Sequence, residues 1–253
     1  MLRMFWPFRR RKPATPDALL QSDPKNELYR LFLERGARAH KTAKWHHYFD
    51  IYDAFLARYR GQSPTLLEIG VDECGSLEIW REWLGPGARI FGMDINPKSA
   101  ELAPPGCKVF IGDQADPEFL RRVLAEIGTP DIVVDDGGHT SNQQINSFEV
   151  FYPAMAPDGV YMVEDTHTAL WGGMWDDRPG MTFLDYAAER VKDLHAWSGI
   201  HGNFRRYHTH PTERVGAEAE VPEFTRTTRG ISFFDSIVAF ERGPRREPWQ
   251  ERR

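Results

Sequence analysis

From Thr65 to Asp165 the chain alternates short apolar runs with segments of helical period, and that alternation admits few folds other than a parallel α/β sheet covered by helices. The runs are Thr65 to Val71, Arg89 to Ile95, Lys108 to Asp113, Asp131 to Asp135 and Gly159 to Asp165. Between them Leu77, Trp80 and Leu84 share one helical face, as do Phe119, Leu120, Val123, Leu124 and Ile127, and as do Ile145, Phe148, Tyr152 and Met155. Near the end, Gly230 to Phe240 alternates around Asp235-Ser236, which predicts a tight antiparallel pair closing the sheet edge. The fold class expected is a Rossmann-like, mostly parallel sheet with helices on both faces.

Ahead of the sheet, Pro24 to Gly61 carries two amphipathic segments. In the second, Trp45, Tyr48, Tyr52, Phe55, Leu56 and Tyr59 recur at three- and four-residue spacing, one face of a helix. Beyond Asp165 come a Trp/Gly-rich loop from Ala169 to Gly180 and a helical stretch centred on Leu184, Ala188, Val191 and Leu194. The segment from Ser198 to Glu223 has no periodicity and reads as a long surface loop or lid.

Composition narrows the function classes. At 253 residues and 41% hydrophobic content the chain can bury a large core without covalent staples. Its two cysteines, Cys74 and Cys107, are too few for a disulfide framework or a cysteine-rich zinc site, and a reducing cytoplasm is the expected location. A net charge of -5 argues against nucleic acid as a principal partner, since phosphate binding needs a concentrated basic surface. No apolar run is long enough to predict a transmembrane helix. Met1 to Lys12 has aromatic residues ahead of its main basic run, the reverse of a secretory signal. Two readings of it stand: weak peripheral contact with anionic membrane through Phe5, Trp6 and Phe8, or a frayed tail.

The first strand ends in Leu67-Glu68-Ile69-Gly70, and Val71-Asp72-Glu73-Cys74-Gly75-Ser76 leads into the next helix. Ligands of open α/β sheets sit at the carboxyl ends of strands, so this turn is the expected cofactor contact. A dinucleotide site would want G-x-G-x-x-G here, whereas this turn has only Gly70 and Gly75 and places Glu68, Asp72 and Glu73 where a pyrophosphate would lie. An NAD-linked sugar oxidoreductase is thereby disfavoured, and a cationic ligand without phosphates meets no such penalty. Residues Thr65 to Ser76, followed by Asp94 at the end of strand two, resemble the class I methyltransferases, which use S-adenosylmethionine. The resemblance implies that Glu68 faces the methionine end of the cofactor, that Gly70, Gly75 and Ser76 form its turn, and that Asp94 accepts from the ribose hydroxyls. Asp113 and Asp135 are further expected cofactor contacts by topology.

Strand four ends in Asp135-Asp136-Gly137-Gly138-His139 and strand five in Glu164-Asp165, on the same sheet edge as the cofactor turn. Four crowded carboxylates repel one another, and a hard divalent cation such as Mg²⁺, Ca²⁺ or Mn²⁺ relieves that repulsion through oxygen ligands. The competing reading makes them N-caps of the following helices. D-D-G-G-H, V-E-D-T-H-T at Val163 to Thr168, the G-D-Q-A-D-P turn at Gly112 to Pro117, Lys44-Trp45-His46-His47-Tyr48 and Ile231 to Val238 together are similar to the metal-dependent sugar O-methyltransferases of macrolide and other natural-product pathways. The similarity covers roughly Lys41 to Gly243. It implies metal ligation by Asp136, Glu164 and Asp165, and general-base duty for His139. It also implies a saccharide or glycoside acceptor. This group usually carries a paired glycine in the cofactor turn, and Cys74 stands in place of the first.

For substrate contacts the candidates are His46, His47, Tyr48, His167, Trp171 and Trp175. The two tryptophans could stack on a sugar face or anchor loop packing, and His46 and His47 could contact ligand or pack on a helix. His201, His208 and His210 read as solvent-exposed loop residues. The expected organisation is a basic, aromatic tail over 1–23, a helical extension over 24–62, a methyltransferase domain over 63–243 whose loops at 169–223 could form a substrate lid, and a tail over 244–253. A non-catalytic cofactor-binding scaffold is the alternative from another class, and homo-oligomer formation is left open.

Overall fold

The computed structural model describes residues 23, 25–35, 40–175, 177–200, 208–214 and 220–251. The tail over 1–22, with its two readings of membrane contact and fraying, lies outside the described residues, as does His201.

Among the described residues the strands are β1 Thr65–Ile69, β2 Arg89–Asp94, β3 Lys108–Ile111, β4 Ile132–Asp135, β5 Val160–Val163, β6 Thr228–Phe233 and β7 Val238–Arg242. They form one sheet in the order β3-β2-β1-β4-β5-β7-β6. The first five are parallel, and β7 runs antiparallel between β5 and β6. The closing hairpin thus enters the sheet through its second strand. Four of the five parallel strands stop one or two residues before the predicted run ends, and β4 ends with its run at Asp135; after β1 the backbone bends into a turn at Gly70 with φ +80°.

The helices are α1 Glu27–Arg35, α2 Tyr48–Leu56, α3 Gly75–Leu84, α4 Lys98–Glu101, α5 Pro117–Ile127, α6 Ser141–Phe151, α7 Phe183–Leu194, α8 Ala196–Ile200 and α9 Glu223–Thr227. Local chemistry sets several starts. Asp116 caps α5 by accepting from the Glu118 amide at 2.9 Å, with Pro117 at the first helical position. Capping boxes open α6 at Thr140/Gln143 and α7 at Thr182/Asp185. These caps remove the N-cap reading of the acidic pairs: Thr140 caps α6, and Asp165 makes no side-chain cap.

Period-two alternation along the strands divides the core into two layers. Leu66, Ile132, Val134, Val160 and Met162 pack under α1, α2 and α3. Leu67, Ile69, Val133, Tyr161 and Val163 pack under α5, α6 and α7. The helical segment ahead of the sheet is therefore part of the first layer, with Leu28, Tyr52 and Leu56 fully buried in it. Trp45, expected on the buried face of the second helix, instead precedes α2 and is 54% exposed, since the helix begins only at Tyr48.

Candidate active site

Sheet register selects which acid of the strand-four pair reaches the site. Ile69, Asp135 and Val163 lie side by side on β1, β4 and β5. The next position on each chain brings Gly70, Asp136 and Glu164 abreast, on the same face as Glu68 and on the side of α2 and α3. Asp135 points the opposite way. It is wholly buried, accepting from Gln114 Nε2 at 2.7 Å and from the Tyr161 hydroxyl at 3.1 Å. Burial pushes its carboxyl up to about 7. Asp135 therefore supports the Gln114 side chain, which with Gln143 lines a cleft at the end of β1.

That cleft is walled by Ile69, Gly70, Met93, Asp94, Gly112, Gln114, Gly137 and Gly138 among others. At Gly70 the backbone is left-handed and a Cβ would run into the Asp136 carbonyl, so the close approach of β1 to β4 requires glycine. Asp94 Oδ2 accepts the amides of Val71 and Asp72 at 3.0 and 2.9 Å, and Oδ1 accepts that of Asn96 at 2.8 Å, which holds the first turn against the end of β2. Asp113 is exposed and turns its carboxylate to the Ala115 amide at 2.7 Å. The structure gives Gly75 and Ser76 partners away from the cleft. Gly75 lies beneath the chain at 40–41, where a Cβ would come within 2.6 Å of the His40 carbonyl, and Ser76 donates to Glu68 at 2.5 Å. Cys74, also left-handed at φ 64°, buries its thiol against the Ser99 carbonyl. A glycine preference at this position has that conformational cause.

The acidic centre lies beside the cleft, in a cavity of about 390 Å³ lined by Ala43, Lys44, Trp45, His46, Tyr48, Asp136, Glu164 and Asp165. Asp136, His139 and Asp165 converge there, one ligand atom of each lying within 4.8 Å of the others. His139 Nε2 is 3.8 Å from Asp136 Oδ1 and 3.6 Å from Asp165 Oδ2. His139 and Asp165 both adopt left-handed backbone, φ 58° and 51°, which turns each side chain back over the strand ends. Conformations this costly for non-glycine residues concentrate at functional sites.

The extension supplies the other half of the centre. Tyr48 and Tyr52, one helical turn apart, donate to Asp165 Oδ1 and Glu164 Oε1, each at 2.6 Å. Lys44 Nζ reaches Asp136 Oδ2 at 2.6 Å, Glu68 Oε1 at 3.1 Å and Glu164 Oε2 at 3.1 Å, with its side chain only 5% exposed. Burial opposes a charge on Lys44, but the Asp136 and Glu164 carboxylates outweigh it and hold the ammonium protonated well above the usual lysine range. Burial, and then the neighbouring Asp136, push Glu164 well above the usual carboxylate range. Desolvation lowers the His139 pKa, which keeps the imidazole neutral at neutral pH. Sequence reasoning missed Lys44 and Tyr52, because a lone lysine and a tyrosine on an apolar stripe carry no chemical pattern until β1, β4 and β5 are assembled beside them.

The donor set fits a hard divalent cation. Glu68, Asp136 and Glu164 face the Lys44 ammonium and Asp165 stands beside them, so the centre is built of the oxygen donors that such an ion prefers. Lys44 engages Oδ2 of Asp136 and Tyr48 engages Oδ1 of Asp165, leaving Asp136 Oδ1 and Asp165 Oδ2 facing His139, whose buried Nδ1 has no hydrogen-bond partner among the described residues.

Around this centre, His167 Nδ1 lies 3.0 Å from the Ser236 hydroxyl, and its ring is edge-on to Trp45 and Trp171. Trp171 is 61% exposed and meets Trp175 ring to ring at 5.7 Å. His47 Nε2 lies 3.1 Å from the Asp235 carbonyl, and His46 lines the cavity.

A glycine turn after β1, an acid at the end of β2, the β1/β4 cleft and the antiparallel β7 define a class I methyltransferase fold. No family model matches the chain. It is 31% identical over 220 residues, 81% of its length, to 8-demethyl-8-alpha-L-rhamnosyl tetracenomycin-C 2'-O-methyltransferase of Streptomyces olivaceus, covering 53% of that protein. It is 38% identical over 129 residues, 48% of its length, to mycinamicin VI 2''-O-methyltransferase of Micromonospora griseorubida, covering 32% of that protein. The solved structure of the MycE methyltransferase from the mycinamycin biosynthetic pathway, in complex with Mg, SAH and mycinamycin VI, superposes with a TM-score of 0.70 at 27% identity, over 90% of this chain and 56% of that one. The chain is a relative of these sugar O-methyltransferases, and it spans about half the length of the curated relatives it matches.

Proposed function

We propose that the protein is an S-adenosylmethionine-dependent, divalent-cation-dependent O-methyltransferase acting on a hydroxyl of a sugar or glycoside. The observation that carries this reading is the convergence of Asp136, His139 and Asp165 at the ends of β4 and β5, next to the β1 glycine turn. Gly70 and Asp94, which line the cleft, would bind the cofactor, and Glu68, buried against Ser76 and Lys44, would fix the turn beside it. Asp136, Glu164 and Asp165 would hold the cation, preferentially Mg²⁺. When bound, S-adenosylmethionine supplies an electrophilic methyl group and the cation supplies positive charge that acidifies the acceptor hydroxyl. His139, kept neutral by burial, takes the hydroxyl proton at Nε2. Tyr48 and Tyr52 fix the strand-five carboxylates, so their orientation need not be established during turnover. The exposed Trp45 and Trp171 offer apolar faces on which a sugar ring can stack.

Methyl transfer to a panel of deoxyhexosyl glycosides, assayed with Mg²⁺ and with EDTA, tests the reading. Transfer to a sugar hydroxyl that EDTA abolishes is expected, while calorimetry still detects S-adenosylhomocysteine binding. Binding of NAD in place of S-adenosylhomocysteine would overturn it.

A further inference from the structure

The side chain most deeply committed to the acidic centre is Lys44, which lies ahead of the sheet in a stretch without regular secondary structure. Its ammonium touches Asp136 and Glu164, two of the three carboxylates assigned above to the cation, and Glu68 at the cofactor turn. With Lys44 in place Glu164 has no oxygen free of a donor, since Oε1 also accepts from Tyr52, and Asp136 keeps only Oδ1 for an ion. The same Oδ2 of Asp136 and both oxygens of Glu164 lie within hydrogen-bond distance of Nζ. We propose that Lys44 is a resident cation that competes with the divalent ion for Asp136 and Glu164, holding these buried carboxylates together in the metal-free protein and withdrawing when the ion binds.

Three features favour exchange over a fixed pillar. Buried carboxylates without a countercharge destabilise a fold, so a metal-free centre needs an internal cation. The lysine stem is unbranched with four rotatable bonds, and Lys44 itself lies in no helix or strand, so its ammonium can withdraw by rotation of the side chain alone. The cavity that Lys44 lines, about 390 Å³, provides the space. The effect is to set the metal affinity of the site: the ion binds with the difference between its own attraction to the carboxylates and that of the ammonium it displaces.

The proposal rests on the metal-dependent reading, and the test separates the two. Mg²⁺ is titrated calorimetrically into the wild type and Lys44→Met, and thermal unfolding is followed with and without Mg²⁺. The variant is expected to bind Mg²⁺ at least about tenfold more tightly, equivalent to about 1.4 kcal/mol. Its metal-free midpoint should fall, and Mg²⁺ should raise that midpoint by more than in the wild type. Independently of any variant, reductive methylation read by mass spectrometry should find Lys44 protected in the metal-free wild type and reactive at saturating Mg²⁺. Equal or weaker Mg²⁺ binding by a folded Lys44→Met, or a Lys44 that stays protected with Mg²⁺ bound, overturns the exchange while leaving the metal reading intact. Absence of Mg²⁺ binding to both proteins overturns the metal reading and the exchange with it.

Discussion

Asp135 and Asp136 are chemically identical neighbours with opposite fates, one sealed in the α5/α6 layer against Gln114 and Tyr161, the other facing Lys44 and His139. The difference is strand parity alone. His139→Ala is expected to lower kcat by about 10² to 10⁴-fold with S-adenosylhomocysteine affinity unchanged, measured by steady-state kinetics beside calorimetry. Because burial lowers the His139 pKa, the neutral base persists as pH falls, and the acid limb of the wild-type rate should lie below the ordinary histidine value of about 6.5. Tyr52→Phe removes the donor to buried Glu164, and urea unfolding should report a loss of about 1 to 3 kcal/mol, the range for leaving a buried polar group without its partner. An unchanged midpoint would mean that Lys44 alone satisfies Glu164.

Helices α6 and α7 show how capping positions chemistry without taking part in it. Thr140 starts α6 directly after His139, and the Thr168 hydroxyl donates to the His139 carbonyl at 2.8 Å, so His139 is clamped between a helix start and the turn after β5. In α7, the Thr182 hydroxyl and amide both donate to Asp185 and lower its pKa. A depressed folded-state pKa contributes stability that is present above the usual aspartate value of about 4 and is lost as pH falls through the folded value. Thr182→Ala should cost about 1 kcal/mol at neutral pH, and its deficit relative to the wild type should shrink near pH 3. Paired denaturant melts at the two pH values check this, and a deficit independent of pH would assign the cost to Thr182 packing.

Across the whole molecule, the segment carrying α1 and α2 is both core and a wall of the acidic centre. It covers Leu66, Trp80 and Val134, and it brings Lys44, Tyr48 and Tyr52 to the acids of β1, β4 and β5. Removing residues 1–60 should therefore abolish cooperative unfolding and produce dye-binding apolar surface, as tested by calorimetry and dye fluorescence. A truncated chain that still unfolds cooperatively would make the segment a separable appendage. Among the described residues no helix is long and apolar enough to cross a membrane.

The order of residues sufficed for the α/β class, the five parallel strands, the closing hairpin and the placement of Glu68, Asp136, His139, Glu164 and Asp165 at one sheet edge, because those features follow from local periodicity and from the rule that strand ends carry the site. It also exposed Cys74 as a departure, though its left-handed φ is a property of the folded turn. Contacts distant along the chain were decided only by the assembled sheet. Lys44 meets Glu164 across 120 positions and Tyr48 meets Asp165 across 117, and no local pattern encodes such a meeting. The inward or outward sense of each acid, the burial that makes His139 neutral, and the countercharge that holds the acidic centre together are long-range electrostatic facts, which exist only once β1, β4, β5 and α2 share one space.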